Sequence, residues 1–173
     1  IDKIKVRNMK ANKFVANSLK EWKERKWPDA THVIFDEADE ADDKATKIEK
    51  RKKAIRLTDK MTPGEKASMV LILTGAYVKN KSNNFIDVAL DEAIDDKPEN
   101  LEHFLTYASM DAKDFTLRGQ ILEAIHRQVL TREGESVYYL GERVGYDISD
   151  AVEWFKNPDN QKLKVSILEK ISN

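Results

Sequence analysis

No cysteine occurs among the 173 residues, which removes disulfides, thiolate metal sites and cysteine nucleophiles at a stroke. The same absence fits a reducing compartment. Histidine is scarce too. His32, His103 and His126 are scattered through the chain with no His-x-x-x-His spacing, so neither a histidine metal site nor a histidine-based triad is expected. Long apolar runs are missing as well. The longest, residues 69–73, falls far short of the roughly 20 residues that cross a bilayer, and no signal-peptide pattern is present. No membrane association is expected. The chain opens on Ile1, not methionine, as a processed product or a piece of a longer protein would.

What is present is charge, and it is sorted by position. Charged residues make up 35% of the chain and apolar residues 40%, against about 25% and about 45–50% in an average globular protein. Long solvated helices around a modest core follow. Residues 1–81 hold 20 Lys/Arg against 13 Asp/Glu, a balance of +7, and residues 82–173 hold 10 against 18, a balance of −8. The formal net charge of −1 hides this asymmetry, which is a signal about partners and not about chemistry.

Alternation in residues 3–7 predicts a short strand. Phe14, Val15, Ser18, Leu19 and Trp22 fall at helical spacing and predict a basic amphipathic helix over 10–26, ended by Trp27-Pro28. Residues 32–35 read as a second short strand. Six carboxylates in 36–43 then precede Lys44, Lys47, Lys50, Arg51, Lys52, Lys53, Arg56 and Lys60. Acid first and base last complements the macrodipole of one long, exposed helix over 38–58, with Ala38, Ala41, Ala45, Ile48 and Ile55 as a narrow apolar stripe. Thr62-Pro63-Gly64-Glu65 is a capping-box start, and Gly75 marks that helix's end. Further helices are expected at 84–95, at 98–109 and at 112–130, the last with Phe115, Leu122, Ile125 and Val129 on one face and Ile121 adjoining. Glycines 134, 141 and 145 punctuate an antiparallel β-meander over 131–147, with turns at Gly134-Glu135 and Gly141-Glu142. Ser149 is expected to cap a short helix, and Asn157-Pro158 to open a final one.

The fold class is therefore mainly α, with a short N-terminal β element and a small antiparallel β-meander near 131–147. Residues 1–60 form a charged N-terminal arm and 61–173 a helical body.

Val33-Ile34-Phe35-Asp36-Glu37 resembles the strand end that holds magnesium in P-loop hydrolases, but no glycine-rich loop ending in Gly-Lys-Ser/Thr accompanies it. It reads as a strand followed by an acidic helix start. The acidic run lacks the alternation and central glycine of a calcium loop. No catalytic residue, cofactor site, metal site or small-molecule substrate is expected. Two helices and a hairpin over 98–146 follow the order of a winged helix-turn-helix, with Lys113, Arg118, Arg127, Arg132 and Arg143 as its available cations; the acidic balance of that half argues against duplex binding. The basic segments 1–28 and 44–60, each with a balance of +6, suit phosphates or an acidic partner better.

Residues 12–22 (Asn-Lys-Phe-Val-Ala-Asn-Ser-Leu-Lys-Glu-Trp), residues 28–37, the Phe104-Leu105-Thr106-Tyr107-Ala108-Ser109-Met110 stretch and residues 138–145 resemble segments of small virion- or DNA-associated proteins of tailed bacteriophages. That resemblance implies a virion-associated or phage-DNA-associated role and carries no functional residue over. A virion or the host cytoplasm is the location it suggests.

The expectation is thus a non-enzymatic structural or interaction subunit of a larger assembly. Contacts are expected from Lys44, Lys47, Lys50, Arg51, Lys52, Lys53 and Arg56, with Trp22 and Trp27 as anchors. A protein partner or self-assembly comes first, because unlike surfaces on one chain pair between copies. Nucleic-acid binding is the alternative.

Overall fold

The computed structural model describes residues 12–34 and 37–172. The strand expected at 3–7 lies outside them. The chain is mainly α-helical, with a two-stranded parallel pair near its start and a three-stranded antiparallel sheet. Two compact units are resolved, residues 1–49 and residues 50–173.

In the first unit, β1 (Val15–Ala16) pairs in parallel with β2 (His32–Val33). The short helix α1 (Leu19–Lys23) lies between them. The helix expected over 10–26 is therefore corrected to a strand and a helix of 5 residues. Val15 and Ala16 are buried as strand residues, and the Ser18 hydroxyl accepts from the Glu21 N–H at 3.2 Å, starting α1 afresh. Arg25 at φ 55 turns the chain out of the helix before Trp27. Helical spacing was present, but capping at Ser18 and pairing with β2 decided the backbone.

Helix α2 (Glu37–Thr58) is the long charged helix that the acid-then-base order predicts. In the second unit, α3 (Pro63–Thr74) opens on the expected capping box. Thr62 Oγ1 accepts from the Glu65 N–H, and the Glu65 carboxylate accepts from the Thr62 N–H at 2.7 Å. Gly75 at φ 75 closes the helix, its N–H donating to the Leu71 carbonyl, where a left-handed residue is needed. Helices α4 (Asn83–Asp96), α5 (Asn100–Ala108) and α6 (Ala112–His126) follow.

Beyond α6 the strands β3 (Thr131–Glu133), β4 (Ser136–Tyr139) and β5 (Glu142–Gly145) form the meander in the order β3-β4-β5. Its second turn is Leu140-Gly141, with φ 53 and 87, and not Gly141-Glu142. Two successive positive φ values make the turn whose twist suits a hairpin. Helix α7 (Ile148–Lys156) is capped by Asp147, which accepts from the Asp150 N–H at 2.8 Å. Ser149 instead accepts a hydrogen bond from Arg118. A 3-10 turn (Pro158–Asn160) then leads into α8 (Gln161–Ser172).

Two apolar clusters hold the second unit. One gathers Ala54, Met69, Val70, Ile86, Leu90, Ile94, Phe104 and Phe115 from α2–α6. The other joins Leu117, Ile121 and Ala124 to Val137, Val144, Phe155 and Ile167 from the sheet, α7 and α8. Helix α6 serves both. Phe115, Leu117, Gly119, Ile121, Glu123 and Ala124 are buried, whereas Leu122 and Ile125, and Val129 beyond the helix end, are only partly covered. The single apolar face expected for this helix is thus replaced by burial on two sides. The helix stops at His126, not at 130, because Gln128 takes φ 60 and redirects the chain into β3.

Candidate functional site

Helix α2 stands out because so little of it is covered. Every described side chain over residues 41–49 is exposed. Its attachment lies near the C-terminal end, where Ala54 is fully buried and Leu57 packs against the same cluster. Neither residue belongs to the stripe that periodicity singles out. Ala41, Ala45, Ile48 and Ile55 recur in steps of four, three and seven, the spacing of one helix face, and that face is turned to solvent. Ile48 is 54% exposed and Ile55 50%. An apolar ridge of this kind edged by cations is what a docking helix presents.

The seven cations expected to make contact divide into two groups. Lys50 is ion-paired with Glu102 on α5, and Arg51 reaches Asp91 and Asp95 on α4, the latter at 3.0 Å. These two tie the helix to the body. Lys44, Lys47, Lys52, Lys53 and Arg56 remain exposed, and among the described residues Lys47, Lys53 and Arg56 pair with no acid. Part of the basic pole is thereby neutralised by the acidic pole within the molecule. Lys66–Asp87 and Lys79–Glu123 add to this.

Trp22 and Trp27 come together in the first unit. With Lys23, Arg25, Pro28 and Ala30 they line an open concavity of about 530 Å³. Trp27 donates its indole N–H to Glu21 at 2.8 Å, and Trp22 donates to the Ala30 carbonyl at 3.4 Å. Both rings are fixed at one edge. Trp22 stays 45% exposed.

No family model, curated protein or solved structure matches this chain. The site must be judged on its own chemistry.

One polar constellation escaped the sequence reading. Glu123, 6% exposed on α6, accepts from Lys79 at 2.8 Å and from the Tyr77 hydroxyl at 3.0 Å, with Arg127 at 3.3 Å. Tyr77 stacks on His126 with ring centres 4.6 Å apart. Burial pushes the Glu123 carboxyl up, but the hydrogen bonds from Lys79 and Tyr77 and the charges of Lys79 and Arg127 outweigh it and leave the group below its ordinary value. A carboxylate held ionised by three donors braces the 75–82 connection against α6 and is poorly suited to trading a proton. Its signal was an acid set between Leu122 and Ala124, in the apolar-rich second half of the helix.

The winged-helix order of 98–146 is present, but most of its cations are engaged. Arg118 donates to Ser149 and lies over Tyr107, Arg132 pairs with Glu135, and Arg143 lies 3.9 Å from the Tyr146 ring centre. Among the described residues no group of three His, Asp or Glu converges on a metal position, and no helix is long and apolar enough to cross a membrane.

Proposed function

We propose that this chain is a non-catalytic interaction subunit of a larger assembly, docking through α2. The observation that carries the reading is the outward apolar ridge of Ile48 and Ile55 edged by Lys44, Lys52 and Arg56. An isolated exposed isoleucine needs no explanation, but a heptad-spaced pair on a helix with basic edges does. The likeness to tailed-phage proteins favours a virion as that assembly. A photo-crosslinking phenylalanine analogue placed at Ile48 of the full chain, in the cells that make it, tests the reading. Adducts are expected at this position and not at Leu140, which is still more open to solvent on the hairpin. Equal labelling at the two positions would refute docking by α2.

The concavity supports a second reading, nucleic-acid binding. Indole faces beside Lys23 and Arg25 have the composition of a base-stacking site on a single strand. Titration with DNA and RNA oligomers, followed by tryptophan emission, should show quenching that weakens steeply with salt. Trp22→Ala should abolish it. A salt-insensitive signal, or none, rejects this reading.

A further inference from the structure

We propose that the partner of α2 is a second copy of this chain, and that the ridge of α2 lies on helix α4 of that copy. The inference rests on the reading of α2 as the docking element.

Helix α4 carries the complement. Ile86, Leu90, Ala93 and Ile94 turn inward, while Phe85 is 50% exposed and Val88 57%. Phe85, Val88 and Glu92 follow one another in steps of three and four, so they share a face. Asp91, Asp95 and Asp96 edge it, with no basic residue anywhere in Asn83–Asp96. An apolar ridge with basic edges on α2 thus has, elsewhere on the same chain, an exposed apolar pair with acidic edges. Each is short of a partner for the same kind of side chain.

The chain already makes this contact once, at the adjoining edges of the two helices. Arg51 of α2 bonds Asp91 and Asp95 of α4. A basic strip and an acidic strip therefore lie side by side, joined by that clamp. A two-fold axis through such a surface lays each strip on the opposite strip of the partner and makes the same contact twice, closing a dimer. Ile55 then meets Val88 and Phe85, and Arg56, at the edge of that face, meets Glu92 and Asp96. The net charge of −1 leaves little long-range repulsion between copies. Matched charge sets orientation and encounter, and Ile55, Val88 and Phe85 contribute the desolvated centre of each contact.

Light scattering after size exclusion, over a concentration series at low and high salt, reads the dimer. The wild-type chain is expected to dimerise and to loosen as salt rises. Arg56→Glu, and separately Glu92→Lys with Asp96→Lys, should each raise the dimer Kd about tenfold or more. None of these three residues is in the core, and circular dichroism checks that both variants fold. Mixed one to one, the two variants should pair again, because each then offers the charge that the other lacks. A wild-type chain that stays monomeric at its highest soluble concentration overturns the proposal, as does a mixture that fails to recover. A photo-crosslinker at Ile55 separates the two levels of inference. A chain-to-chain link supports both. A link only to a different macromolecule overturns self-pairing while leaving α2 as the docking element, and no link at all overturns both.

Discussion

Glu123 is buried as an ion, and that is tolerable only because donors converge on it from two directions. Its depressed pKa sets the sign of a pH effect. A carboxylate lowered by folding contributes stability above the ordinary carboxylate range, near 4.3 for glutamate, and that contribution is lost as pH falls through the lower folded value. Urea unfolding of Glu123→Gln is expected to show a loss of about 1–3 kcal/mol at neutral pH and a smaller further decline on acidification than wild type shows. Equal acid slopes in the two proteins would contradict this account. Gly145 is a second position where one atom decides. A Cβ there would stand 2.5 Å from the Ala151 backbone nitrogen, so β5 packs on α7 only because glycine leaves that space. Gly145→Ala should cost about 1–3 kcal/mol, read from the same titrations, whereas Gly64→Ala, with nothing near its Cβ position, should be tolerated.

Helices α2 and α6 show how differently apolar spacing is used at the scale of the element. On α2 the regular stripe faces water and the irregular pair Ala54 and Leu57 makes the contact. Ile48→Ser with Ile55→Ser is therefore expected to leave stability within about 0.5 kcal/mol of wild type, as thermal unfolding would reveal. Ala54→Asp places a charge in a fully buried position and should cost several kcal/mol. A reversed order would mean that α2 sits on its stripe. On α6 the pattern looks one-sided in sequence because Phe115 and Ile125 are large, yet small residues mark the second contact. Gly119 is buried against Ser68 of α3, whose hydroxyl would be 3.0 Å from an added Cβ. Periodicity counts large side chains and overlooks a close approach made by their absence.

At the scale of the whole molecule, α6 links the two clusters of the second unit, so a defect in one should be felt in the other. Phe104 is fully buried among α3, α4 and α5, while Trp154 packs on the other cluster. Phe104→Ala should cost about 3–5 kcal/mol, and Trp154 emission, with Trp22 and Trp27 replaced by Phe, should report the same shift as helix content. Separate midpoints would show that the clusters melt independently. Capping boxes, glycine stops, the acid-to-base order of α2 and the glycine-punctuated meander were all legible in the amino-acid order, because each is settled by residues within a few positions of one another. The strand at Val15–Ala16 was not, since its hydrogen bonds come from His32 and Ile34, many residues away. The same holds for the candidate site. The sequence by itself determined that α2 would be long, charged and striped. Only the tertiary structure decided that its stripe faces outward, that Lys50 and Arg51 are spent on the chain's own acids, and that Phe85 and Val88 stand exposed on an acidic helix. Side-chain burial depends on which surfaces the folded chain brings together, and that choice is made by packing between distant segments, not by the local order of residues.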